Sequence, residues 1–268
     1  MPDLFPDTTT LVLCCLIIAG AQLIYATAGF GAGLFAVVLL AMVLPDLRGA
    51  IATLYVLTLL TEIWVLIHCW RHARLRLVVA LLPTTAVGLW AGTELLAAGD
   101  VVWLKSLLGA VVFLSGAWFM IEQRRRRNEV DETDTTRNGP PTSRTKRFGM
   151  VPSMAVGFFA GGLGGLFGTA GPPVVLLLKG YRLDKGAFRA TLLLYFLLMS
   201  VLRGGSYLNA GILTLREITA ALWLLPASML GTMLGMIVHR RISERHFASA
   251  ISVLLVILGL LLLIRGGP

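Results

Sequence analysis

Ten apolar segments run through the chain, at residues 10–28, 31–45, 49–69, 75–96, 101–121, 148–166, 172–180, 186–209, 216–238 and 247–264, most of them about twenty residues long with hardly a charge. Runs of this kind leave no wet face for a soluble helix, and hydrocarbon admits only backbones that satisfy their own hydrogen bonds. The expected fold is an all-α polytopic membrane protein. Composition agrees, at 57% hydrophobic and 14% charged residues. A net charge of +9 would point to nucleic acid in a soluble domain. Here the basic residues sit between apolar segments, where they orient a membrane protein, so nucleic acid is excluded as a partner.

Residues Met1 to Asp7 carry two acids and no Lys or Arg, so the basic region of a cleaved signal peptide is missing and the first segment is expected to stay. Cys14, Cys15 and Cys69 form no CxxC pair and read as small buried hydrophobes. His68, His72, His239 and His246 fall at segment ends, and neither a GxSG serine motif nor a P-loop occurs. No enzyme, metal or other cofactor is expected.

A duplication divides the chain. Ala28-Gly29-Phe30-Gly31-Ala32-Gly33 aligns without a gap on Gly165-Leu166-Phe167-Gly168-Thr169-Ala170 and Gly171 beyond it, at an offset of 137 residues. Arg48-Gly49-Ala50 falls on Lys185-Gly186-Ala187 at the same offset, and Leu82-Pro83-x4-Gly88-x3-Gly92 on Leu225-Pro226-x4-Gly231-x3-Gly235 at 143. The difference places a small insertion near Gly204 to Gly211. Between the halves, residues 122–147 open with Glu-Gln and four arginines and show no apolar periodicity, which reads as a charged, solvated cytoplasmic linker. The chain thus divides into a first transmembrane repeat (1–121), the linker (122–147) and a second repeat (148–268). The Arg124 to Arg127 run reads as a stop-transfer cluster, with anionic membrane lipid as the alternative contact.

Placing the turns at Arg71 to Arg76, Lys179 to Arg189 and Arg240 to Arg245 inside, with the linker, accounts for 18 of the 23 basic residues. Both termini then lie outside. Five segments per half is an odd number, so the second half is expected to be inverted relative to the first, a plan common among secondary transporters. The second and seventh segments, directly after the glycine motifs, fall short of the roughly twenty residues needed to span about 30 Å. They are expected to be short or re-entrant helices, and whether they cross fully stays open.

Glycine breaks inside a membrane leave amides unpaired, and these are tolerated where they line a cavity or meet a ligand. Converging N–H groups and helix N-termini suit an anion. The candidate substrate-binding residues are Gly29, Phe30, Gly31 and Gly33 in the first break, and Phe167, Gly168, Thr169, Gly171 and Pro172 in the second, where Pro172-Pro173 fits a first helical turn. Close packing through small residues explains part of the Gly157, Gly161, Gly165 series and the pairs Gly88/Gly92 and Gly231/Gly235. Among ionisable residues inside segments, Arg203 and Arg189 are candidate anion-binding charges and Glu62 a proton-coupling candidate, while Lys105 reads as a snorkelling side chain. Thr58, Ser200 and other polar residues could supplement such a site or bond between helices.

With these motifs the chain resembles the TauE/SafE family of sulfite and organosulfonate exporters. The resemblance rests on Gly29-Phe30-Gly31-Ala32-Gly33, on Phe167-Gly168-Thr169-Ala170-Gly171-Pro172, on the stretch Phe188 to Phe196 and on Ala210-Gly211, and covers nearly all but the linker. Ala32, Thr169 and Ala170 stand where glycines are expected, which counts against a backbone cradle needing positive φ at those positions. Ala52-Thr53-Leu54 stands where many members have Ala-Thr-Ser. The resemblance implies passage of a small sulfur-containing anion, such as sulfite or a short organosulfonate, outward across the cytoplasmic membrane by alternating access. Alternatives are an anion channel with the glycine loops as its filter, or an importer of a small carboxylate. A homodimer is left open. Since an inside-negative potential already drives anions out at about 2.3 kcal/mol per charge per 100 mV, a proton on Glu62 is optional at this level.

Overall fold

The computed structural model describes residues 4–28, 32–69, 73–135, 150–181, 183–239 and 244–265. Ten helices are present among them: α1 (Thr8–Ala28), α2 (Ala32–Val43), α3 (Leu47–Cys69), α4 (Leu75–Ala98), α5 (Val101–Thr135), α6 (Met150–Phe167), α7 (Gly171–Gly180), α8 (Lys185–Asn209), α9 (Leu215–His239) and α10 (Glu244–Arg265). Each apolar segment corresponds to one helix, and six are long and apolar enough to cross a bilayer. The protein is a multi-pass, all-α membrane protein. With 12 and 10 residues, α2 and α7 extend only about 18 and 15 Å at 1.5 Å per residue, too short to span alone.

One boundary departs from expectation. The helix of the fifth segment does not stop at 121 but continues to Thr135, so the first part of the 122–147 linker is helical. Glu, Gln and Arg lose little side-chain freedom in a helix, and a helix in water needs no apolar stripe once an anchored helix has nucleated it. The remainder of the linker, 136–147, lies outside the described residues.

Aspartates start four of the helices. Asp7 accepts from Thr10 N–H at 2.7 Å, Asp46 from Gly49 N–H at 2.9 Å, Asp100 from Val102 N–H at 2.7 Å and Asp184 from Ala187 N–H at 3.1 Å, each satisfying an amide with no partner in the first turn. Asp46 and Asp184 hold equivalent places at an offset of 138, one residue away from the Arg48-Gly49/Lys185-Gly186 match. The extra residues of the second half are therefore not confined to Gly204–Gly211. Some precede α8, and others separate Pro226 from the start of α9 at Leu215, compared with Pro83 and Leu75 in α4.

The exterior is apolar, with Leu16 at 66% and Phe159 at 65% exposure, while Gln22, Thr53, Glu62, Thr85, Thr93 and Arg203 are buried. That pattern suits a protein with lipid around it. Inside, the closest helix pairs are α4 with α6, α1 with α9, and α5 with α10. Exchanging each helix for its counterpart in the other half (α4 for α9, α6 for α1) turns the first pair into the second, and α5 with α10 maps onto itself. Glycines form these seams. A side chain at Gly88, Gly92, Gly161 or Gly165 would strike backbone of the facing helix, and at Gly231 or Gly235 it would strike Ala19 or Leu23 of α1. The apolar interior is split in two. One cluster centres on α1, α2, α3 and α9 with α5 and α10 and takes in Leu96, Leu166, Phe167 and Tyr207 at its edge, and the other joins α4, α6, α7 and α8. Three consecutive helices of each half thus pack with one helix of the opposite half, α9 in the first cluster and α4 in the second.

Candidate functional site

The site begins where α6 ends. Gly168 closes that helix with φ 72°, its N–H donating to Gly164 O at 2.9 Å. This is the left-handed cap that glycine adopts without penalty. The left-handed residue of the break is thus Gly168 itself, so Thr169 and Ala170 in place of glycine do not cost the turn. Thr169 N–H reaches back to Leu163 O at 3.4 Å, and α7 starts at Gly171. Because Pro172 and Pro173 have no N–H, the amides left free to face a ligand at this helix start are those of Ala170 and Gly171.

The first turn of α2 meets this break. A Cβ on Gly33 would lie 3.2 Å from Thr169 Cγ2 and 3.4 Å from Gly168 O. Two helix N-termini, one from each half, therefore converge. Between them lies a cavity of about 70 Å³. The first half contributes Tyr25, Gly33, Leu34, Thr58 and Glu62, and the second contributes Gly168 to Gly171, Phe196, Met199, Ser200 and Arg203. At roughly 10–15 Å³ per water-sized probe, it has room for a few waters or one small polyatomic ion.

Arg203 is the cation of the site and is only 4% exposed. Its Cζ lies 4.8 Å from the centre of the Tyr55 ring and 5.9 Å from that of Tyr207, and the two rings meet edge to face at 5.7 Å. Nη1 donates to Gly164 O at 3.4 Å, and Tyr207 Oη donates to Gly165 O at 2.8 Å. The guanidinium is thereby held by ring faces and by the last turn of α6, while Nε has no partner. Glu62, 7% exposed, faces Ser200 and Arg203, and its Oε2 is also without a partner. Thr169 Oγ1 is the third unpartnered buried atom among the cavity residues. Buried polar atoms normally find partners, so three such atoms at one cavity mark it as a place for water or a polar ligand.

Six sequence candidates line this cavity together: Gly33, Glu62, Gly168, Thr169, Gly171 and Arg203. Phe167 is fully buried in the core and is not among the lining residues. Gly29, Phe30 and Gly31 lie outside the described residues, as do the side chains of Pro172 and Arg189. The backbone of Arg189 stands on α8 about 21 Å along the axis from Arg203, at 1.5 Å per residue, so the two cannot share so small a cavity. Sequence reasoning missed Tyr25, Tyr55 and Tyr207. Spacing could have found two of them, because Tyr207 follows Arg203 by one helical turn and Tyr55 precedes Glu62 by two.

These features define a class: a multi-pass helical membrane protein with a small polar cavity, walled by both sequence halves and holding a buried arginine beside two helix N-termini. The family described as sulfite exporter TauE/SafE matches residues 14–262, and the chain belongs to it. This is a family of membrane transporters, not of enzymes. No curated protein and no solved structure matches the chain.

Proposed function

We propose that the protein is a secondary transporter exporting a small sulfur-containing anion, such as sulfite or a short organosulfonate, by alternating access at this cavity. The observation that carries the reading is the meeting of two helix N-termini, a buried guanidinium and an unpartnered hydroxyl around one ion-sized space. Thr169 supplies a hydroxyl, Arg203 supplies charge, and the amides of Ala170, Gly171 and the first turn of α2 supply further donors. The symmetric exchange of helix pairs supports two inverted repeats about a pseudo-twofold axis. Charge distribution supports cytoplasmic placement of the linker, with both termini outside the cell membrane. The cavity lies between the two apolar clusters, so a relative tilt of those bodies would open it to one side and then the other.

The test is counterflow in proteoliposomes with sulfite, thiosulfate, sulfoacetate, taurine and small carboxylates. Sulfur anions should saturate and exchange. Arg203→Gln should abolish exchange and Arg203→Lys should retain part of it, because a buried cation is needed to offset desolvation of the anion. Full activity in both variants would refute the role of Arg203, flux without saturation or counterflow would indicate a channel, and preference for carboxylates would move the substrate class.

A further inference from the structure

We propose that the anion occupies this cavity together with a proton on the Glu62 carboxyl, which makes the transport cycle an electroneutral anion–proton cotransport. The inference rests on the reading of the cavity as the anion site and names its coupling ion.

The argument is one of donors and charge. Among the described lining residues, the groups with a hydrogen-bond proton to offer an anion are the Arg203 guanidinium, the Thr169 hydroxyl and the amides at the starts of α2 and α7, since the Thr58 hydroxyl donates to Tyr55 O at 3.0 Å and that of Ser200 is bonded to Glu62. An ionised Glu62 can only accept, and its unpartnered Oε2 lies in the same 70 Å³. That space is too small to keep an anion away from a second negative charge. A protonated Glu62 becomes one more donor and completes the ring.

Charge balance gives the same answer. Among the described lining residues the ionisable groups are Glu62 from α3, Arg203 from α8 and Tyr25 from α1, while Tyr55 of α3 and Tyr207 of α8 flank the guanidinium. The described residues that α2, α6 and α7 contribute to the cavity carry no ionisable group. Phenols are ordinarily neutral near pH 7, so the fixed charges are one cation and one anion. With Glu62 ionised the site is neutral before substrate arrives and carries a net negative charge afterwards. With a proton on Oε2 the loaded site is neutral, as burial within a membrane favours. No ion pair within 4 Å joins Glu62 to Arg203 among the described residues, and Arg203 is held instead by the Tyr55 and Tyr207 rings. Neither group is locked to the other, so the carboxyl can exchange its proton.

The test is calorimetric titration of the purified protein with methanesulfonate, an anion that stays ionised, in buffers of different ionisation enthalpy. About one proton should be taken up per anion bound above the pH at which Glu62 titrates, and affinity should fall about tenfold per pH unit there. Glu62→Gln should take up no proton, and its affinity should lose that pH dependence. In liposomes, wild-type flux should ignore an imposed potential and Glu62→Gln flux should follow it. Anion binding by the wild-type protein with no proton uptake overturns the coupling while leaving the cavity as the anion site. Absence of any anion binding overturns the cavity assignment and the coupling with it.

Discussion

Gly168→Ala tests the site most directly, because two separable penalties fall on one atom. At φ 72° an alanine takes on left-handed strain of roughly 1–2 kcal/mol. Its Cβ would also lie 2.6 Å from Arg203 Nη1, where real contacts stay above 3.0 Å, so the guanidinium must withdraw by at least about 0.4 Å. Withdrawal disturbs the bond to Gly164 O and re-aims the charge. Losing one charge-assisted hydrogen bond of about 1.5–3 kcal/mol weakens anion binding roughly ten- to a hundredfold. Gly211→Ala is the matched control: φ is 67° and nothing lies within 4 Å of its added Cβ. Both variants should lose a few degrees of melting temperature for the roughly 1–2 kcal/mol of strain in a chain of this size, Gly168→Ala the more because of its clash. Only Gly168→Ala should lose affinity. Thermal melts in detergent combined with titration of a short sulfonate read both quantities. Equal affinity in the two variants would refute the claim that the break positions Arg203.

Two further substitutions separate packing from chemistry. Gly161→Ala, whose Cβ would press on Thr85 O and Leu89 N across the α4–α6 seam, should destabilise by about 1–3 kcal/mol. Gly205→Ala, with open space around it in α8, should stabilise by roughly 0.5–1 kcal/mol, and a loss in both by thermal melting would contradict the seam. Tyr55→Phe keeps the ring over Arg203 and should keep anion affinity within about threefold, whereas Tyr55→Leu removes a desolvated cation–π contact of about 2 kcal/mol and should weaken binding roughly tenfold or more. Equal affinities in the two Tyr55 variants would dismiss the ring's role.

What the sequence made legible follows from which forces act locally. Apolar run length decides membrane helices without tertiary information, so all ten segments were readable, including the short second and seventh. The duplication singled out both breaks, and rarity of charge within the spans singled out Glu62 and Arg203. The extent of α5 was hidden, because a helical stretch rich in Glu and Arg carries no apolar signal. The place of left-handed strain was hidden too. Counting glycines directed attention to Thr169 and Ala170, whereas the cap geometry needs glycine only at Gly168. Arg189 resembled Arg203 in composition and is separated from it by four turns of helix. The tyrosine wall was missed because an aromatic in an apolar segment looks like ordinary core until its neighbour along the helix is charged.

The exchange of fourth helices bears on how such a chain could arise. A half-length ancestor built this way would leave the glycine-lined face of its α4 bare, covered only when a second copy supplied an α6-like helix. Its folding would have depended on meeting that copy in the bilayer. Joining two copies through a linker replaces that encounter with a tethered one at high effective concentration. Fusion would also free the two faces to diverge, and the two seams of this chain differ. The α4–α6 seam is glycine against glycine, whereas in the α1–α9 seam the glycines come from α9 and α1 answers with Ala19 and Leu23.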